Sequence, residues 1–214
     1  MMNAPVVEPE NPEEPALSQS EINKLFQKGH VVSPTNHIKD SILYGRLLDV
    51  VTEYAKTLGY AFTGDELYSE MFTSYAVEDK LFNITEIVIQ DDLIESLEGL
   101  EYLRLDNIKK FVVSSNKLTS INASVFQNME NLEYLSFANN AITTCDISSL
   151  KNLKYVNLSS NKMSSIDLSN IITANIEINL ANNNFNDMSK IKLPTRAHSI
   201  KLDIFSNNLR EIPE

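Results

Sequence analysis

Between residues 84 and 214 the apolar positions return in one frame, L-x-x-L-x-L-x-x-N-x-L-x-x-L. Leu132, Leu135, Phe137, Asn140, Ile142 and Cys145 fill it, and so do Leu153, Val156, Leu158, Asn161, Met163 and Ile166. Ile178, Leu180, Asn183, Phe185 and Met188 follow, then Leu202, Ile204, Asn207, Leu209 and Ile212. Upstream, Ile108, Phe111, Val113, Asn116, Leu118 and Ile121 fit as well. Ile84, Ile87, Ile89, Asp92, Ile94 and Leu97 give a weaker match, with Asp in the place of Asn. The anchor positions 92, 116, 140, 161, 183 and 207 are separated by 24, 24, 21, 22 and 24 residues. Such a period marks stacked units, none of which can bury its apolar side alone. Apolar alternation ahead of each anchor predicts a short strand. Each Asn is expected to turn inward and satisfy backbone groups of adjacent turns. Leu100-Glu101-Tyr102-Leu103-Arg104-Leu105 also reads as a repeat strand. It lies too close to Phe111–Val113 for both to head full turns, so either the first turn is irregular or one segment is convex.

Ahead of the repeats the period changes. Ile38, Ile42, Leu43, Leu47, Leu48, Val51, Tyr54, Ala55 and Leu58 recur at intervals of three and four, the stripe of a core-facing helix that Gly59 ends. A second helix starts at Thr63-Gly64-Asp65, with Leu67, Met71, Phe72, Tyr75 and Ala76 on its apolar side. The two predict a helical hairpin over 38–82 that caps the repeats of 83–214. Further upstream, Ser18-Gln19-Ser20-Glu21 has the form of a capping box, with Leu17 and Ile22 as a hydrophobic staple. Leu17, Ile22, Leu25 and Phe26 then give a short helical stripe before Gly29. About ten residues of helix are marginal alone, so residues 18–37 read as a docking helix and linker. Residues 1–17, rich in Pro and Glu, read as a disordered acidic tail.

The repeat frame resembles the leucine-rich repeat family, of the bacterial or phage type, over roughly residues 84–214. That resemblance implies an α/β solenoid with parallel strands on a concave face, preceded here by an α-helical cap. Leu193-Pro194-Thr195 to Ile212-Pro213-Glu214 is similar to the L-P repeats of bacterial effector proteins delivered into host cells. Residues Ala16 to Phe26 resemble the N-terminal peptide of flagellar switch proteins, which docks on the phosphorylated chemotaxis response regulator; Asn23 departs from its Asp.

Strand residues between the core positions are expected to face the concave side. Tyr102, Tyr134 and Tyr155 would share one column, if the first strand is real. Arg104, Ser136, Asn157, Asn179 and Asp203 would share another. A Tyr column suits partner recognition, because Tyr joins apolar area to a polar tip at low entropic cost. It equally suits stacking between turns. Asn107, Ser115, Asn139, Ser160, Asn182 and Ser206 form a small polar column that reads as a turn feature.

The net charge of −11 concentrates in residues 31–100, with 13 acids and 4 bases, whereas residues 101–214 carry 11 acids and 12 bases. No basic run offsets the acidic half, which argues against nucleic acid as a partner. Without an apolar run of membrane-spanning length, no membrane partner is expected. The N-terminus lacks the basic start and apolar stretch of a classical secretion signal. A cytoplasmic location, or a place in an assembled particle, follows. One cysteine, Cys145, excludes an internal disulfide framework and falls on a core position. His30, His37 and His198 are far apart, so no metal site is expected. Hydrolase, zinc-protease and P-loop motifs are absent, and no cofactor is expected.

These features predict a non-enzymatic module that binds a protein partner through the concave face of the repeats. Two alternatives stand beside it. One is a structural subunit of a virion or other particle, tethered by its N-terminal helix. The other is a bacterial effector that recognises a host protein.

Overall fold

A computed structural model describes residues 38–57 and 84–210. The expected docking helix with Leu17, Ile22, Leu25 and Phe26, the second cap helix and the C-terminal Pro213 lie outside the described residues.

Among the described residues one helix, α1 (Ser41–Thr57), stands ahead of the repeats. Asp40 starts it by accepting hydrogen bonds from the Ile42 and Leu43 amides at 2.9 and 3.0 Å, which satisfies two donors that lack intrahelical partners. Leu43, Leu47 and Val51, spaced by four, are fully buried in the same core as the first repeat. The other Asp40 oxygen accepts from the Glu95 and Ser96 amides at 2.8 and 3.2 Å. A single carboxylate thus joins the helix start to the first turn. Lys39 pairs with Glu98 beside it.

Ten short strands follow: β1 (Glu86–Gln90), β2 (Lys110–Ser114), β3 (Ser120–Ile121), β4 (Tyr134–Ser136), β5 (Thr144–Cys145), β6 (Tyr155–Asn157), β7 (Ile166–Asp167), β8 (Asn175–Asn179), β9 (Ile191–Lys192) and β10 (Ser199–Asp203). Six of them form one parallel sheet in the order β1-β2-β4-β6-β8-β10. The return side is joined only in pairs, β3 with β5 and β7 with β9. Strands in a sheet sit about 4.8 Å apart. The continuous sheet is therefore the tight inner wall, and the stack curves towards it.

Each turn ends its sheet strand in the same way. Asp91, Ser115, Asn139, Ser160, Asn182 and Ser206 have φ between 53 and 57°. This left-handed residue costs a non-glycine roughly 1–2 kcal/mol. It bends the chain so that the next residue, the anchor, points inward. Asn107 does not belong to this column; Asp91 holds its first place.

The anchors bond as their spacing predicts. Asn140 Oδ1 accepts from the Leu118 amide at 3.0 Å, while Nδ2 donates to the Val113 and Phe137 carbonyls at 2.9 and 3.0 Å. Asn161, Asn183 and Asn207 repeat this, accepting from Ile142, Met163 and Phe185 and donating to Phe137, Leu158 and Leu180 of the preceding turn. One amide side chain thereby closes a bend in its own turn and ties it to the turn before. Asp92 has no N–H to give. It receives instead a bidentate pair from Arg46 of α1, at 2.7 and 2.8 Å. The weak first match in the repeat frame is thus the joint between cap and solenoid.

On the return side, Asn128, Asn131, Asn152 and Asn170 donate to carbonyls of the preceding turn. Asp146, Asp167 and Asp187 each accept from the amide two residues on, Ser148, Ser169 and Ser189, and so start the return bends. Between sheet and return side, Phe111, Phe126, Phe137 and Phe185 are fully buried, with Phe111 edge-on to Phe137 at 5.8 Å.

Leu100–Tyr102 is a 3-10 turn and not a strand. Gly99, at φ 107°, turns the chain into it, and the Leu103 amide closes it on the Leu100 carbonyl at 3.0 Å. The edge of β1 has room for one partner, and Lys110–Ser114 takes it, with Glu86 opposite Lys110. Leu100, Leu103 and Leu105 still reach the core, from the other side of the turn. The first turn is therefore regular, and 100–105 is its return segment.

Candidate functional site

The concave sheet presents three columns, fixed by strand register. The first runs Glu86, Lys110, Tyr134, Tyr155, Glu177 and Lys201; the second runs Val88, Val112, Ser136, Asn157, Asn179 and Asp203. These lie six and four residues before each anchor. Two residues before it come Gln90, Ser114, Ala138, Ser159, Ala181 and Phe205.

Tyr134 and Tyr155 are brought together. Their rings stack in parallel at 4.2 Å and 8°, and Lys110 Nζ lies 5.8 Å from the Tyr134 centroid. Burial, then the neighbouring Tyr155, raises the Tyr134 pKa, so the phenol stays protonated. The stack hides the faces of the two rings from each other and offers their edges and hydroxyls. On either side of it a charge pair spans two turns, Lys110 to Glu86 at 3.0 Å and Lys201 to Glu177 at 2.8 Å. Lys154 bonds Glu133 at 2.8 Å along the rim and holds its carboxyl below the usual range. The wall is thus aromatic at its centre and internally neutralised at its flanks.

The second column is apolar at Val88 and Val112 and hydrogen-bonding from Ser136 on, with Asp203 its one charge. Ser136 is buried and shares a bond with Ser114 at 2.9 Å, so its hydroxyl is committed within the sheet. Asn157 Oδ1 accepts from the Ser159 amide, Asn179 Oδ1 from the Ala181 amide and Asp203 Oδ1 from the Phe205 amide, each at 3.0 Å. Two residues further along, Ser114, Ala138 and Ala181 are small and buried, while Phe205 at the end of that column is 77% exposed.

Tyr102 and Arg104 are not in these columns. Tyr102 lies in the 3-10 turn, 59% exposed, and Arg104 pairs with Asp106 at 3.2 Å. Lys110 and Val112 occupy the places assigned to them. Pattern reading also missed Glu86, Glu177 and Lys201. Counting back six residues from every anchor finds all three.

On the opposite face a hollow of about 450 Å³ is lined by Thr144, Cys145, Asp146, Asp167, Lys190 and Lys192, among others. Desolvation pushes the half-buried Cys145 thiol up to about 12. Lys192 bonds Asp167 at 2.9 Å and, with Ser169, brings its carboxyl down to about 2. Among the described residues no three His, Cys, Asp or Glu side chains gather to hold a metal ion. No helix among them is long and apolar enough to cross a membrane.

A sequence model of the leucine-rich repeat family matches residues 106–163, the stretch that contains the Asn116, Asn140 and Asn161 anchors. Over that stretch the chain carries leucine-rich repeats, and the described fold is a leucine-rich repeat solenoid. No curated protein sequence matches it. Among solved structures it is similar to an internalin C2 of Listeria monocytogenes, with 16% identity over 84% of this chain and 80% of that one, at a TM-score of 0.45. An internalin from the same organism, inlF, shows 18% identity over 84% of this chain and 60% of that one, at a TM-score of 0.39. The leucine-rich repeat is a scaffold for protein interaction, and its stacked turns supply an extended binding surface.

Proposed function

We propose that this leucine-rich repeat protein binds a protein partner in the concave face, centred on Tyr134 and Tyr155. The observation that carries the reading is the stacked tyrosine pair at the centre of the concave sheet. An aromatic pair already held in place loses little further entropy on binding, which is what an anchor at an interface centre needs. Lys110, Glu177 and Lys201 flank the anchor, and Asn157, Asn179 and Asp203 line the channel beside it. Because the charges are paired across turns, recognition depends on shape and hydrogen bonds more than on net charge.

The test is quantitative capture of proteins by the immobilised full chain and by Tyr134→Ala/Tyr155→Ala, read by mass spectrometry. Both residues are half-exposed, so the variant keeps the fold, which circular dichroism checks. Proteins retained by the wild type and lost by at least about tenfold in the variant are expected, since two central anchors contribute more than about 1.4 kcal/mol together. An unchanged profile refutes concave-face binding.

A further inference from the structure

The concave channel carries a row of unmet hydrogen-bonding groups with a definite spacing. Asn157 and Asn179 each turn Oδ1 onto a backbone amide two residues ahead. That choice leaves each Nδ2 outward, and neither donates a hydrogen bond among the described residues. Asp203, next in the row, uses Oδ1 in the same way and leaves Oδ2 outward. Adjacent strands carry all three, in register. From Asn157 to Asp203 the row therefore reads donor, donor, anionic acceptor, at steps of about 4.8 Å.

We infer that the concave face receives an α-helix of a protein partner, laid along the solenoid axis. Its residues i and i+3 offer side-chain carbonyl oxygens to Asn157 and Asn179, and residue i+7 offers a basic group to Asp203. This rests on the concave-face reading above and specifies the partner for it. The spacing decides between partner conformations. A helix rises about 1.5 Å per residue, which puts i+3 and i+7 at about 4.5 and 10.5 Å along its axis. The row demands about 4.8 and 9.6 Å. An extended strand repeats on one side every 6.8 Å or so, and misses the third group by about 4 Å. Beside the row, two residues on in each turn, stand Ser159, Ala181 and Phe205; the first two are small, and Phe205, 77% exposed, gives the helix an apolar contact at the Asp203 end. A polysaccharide is disfavoured, because the two tyrosines cover each other's inner faces and offer edges to the channel, not a platform for stacking. Anionic Asp203, at the end of the row, disfavours nucleic acid.

The probe is a lactam-bridged helical peptide with glutamine at i and i+3 and lysine at i+7, titrated into the full chain by fluorescence anisotropy. Asn157→Asp/Asn179→Asp is the test variant. It keeps both Oδ1 acceptors, and so the local turns, while removing both donors. Saturable binding to the wild type is expected, weakened about tenfold or more in the variant. Replacing both glutamines by lysine restores binding to the variant. Overturning results are no binding to the wild type, equal binding of a proline-interrupted extended peptide or a soluble oligosaccharide, or no effect of the variant. If Tyr134→Ala/Tyr155→Ala abolishes peptide binding and the Asn variant does not, the helix row falls while the concave-face reading stands.

Discussion

At the scale of single residues, asparagine does two different jobs in this chain, and the backbone turn decides which. Asn161 is buried, gives its N–H groups to Phe137 and Leu158 and takes the Ile142 amide. Asn157 sits half-exposed four residues earlier and bonds only locally. Asn161→Ala strands a buried amide and two carbonyls, and is expected to cost about 2–4 kcal/mol. Asn157→Ala is expected to cost less than about 1 kcal/mol. Urea denaturation midpoints compare them; equal losses contradict the assignment. The anchors were legible in the sequence because a buried amide must recur wherever a bend removes ladder bonds. The concave columns were legible at Tyr134 and Tyr155, and at Ser136, Asn157, Asn179 and Asp203, where aromatic or short polar side chains mark them. Lys110 and Glu177 carry no such mark, and only their fixed distance from Asn116 and Asn183 reveals them.

At the scale of elements, the joint between α1 and the first turn combines an exposed ion pair with buried aliphatic contact. Arg46 is about half-exposed, so Arg46→Ala should cost no more than about 1 kcal/mol despite its bidentate geometry. Leu47→Ala removes a fully buried side chain and should cost about 2–5 kcal/mol. Thermal unfolding of the two variants checks the order, and a larger loss for Arg46→Ala contradicts it. The return pair β7–β9 gives a pH prediction. The Asp167 pKa is depressed from 3.8 to about 2, first by Lys192 and then by Ser169. A depressed carboxylate stabilises the fold above its ordinary pKa, and that contribution fades as pH falls from about 4 through about 2. Asp167→Asn should flatten the acid limb of the stability curve in that window, and an unchanged limb refutes the pairing. The ambiguity of 100–105 has a physical cause. Leu at 100, 103 and 105 serves a return segment as well as a strand, and only the competition for the β1 edge separates the two. Gly99, one of five glycines, was the local sign of a turn.

At the scale of the whole molecule, stability runs along one axis, because each turn touches mainly its neighbours. The central turns hold their core residues fully buried, as Leu135, Val156 and Ile178 show. In β10 the matching Leu202 is half-buried, and so are Ile200 and Ile204. Backbone hydrogen exchange should be slowest in β4, β6 and β8 and faster in β10. A uniform rate along the sheet would mean that the turns do not act as separate cooperating units. The periodic architecture was readable from sequence because its energetics are local and repeat. The chemistry that the concave face offers was not, because it depends on which atoms of each side chain the turn leaves free.

Side-chain amide exchange, followed by NMR on the uniformly labelled chain, distinguishes the two asparagine roles in one experiment. Slow exchange at Asn140, Asn161 and Asn183, together with fast exchange at Asn157 and Asn179, is the predicted result. Fast exchange at the anchors, or protection of the two concave amides in the free protein, would contradict an amide-pinned solenoid with an open channel.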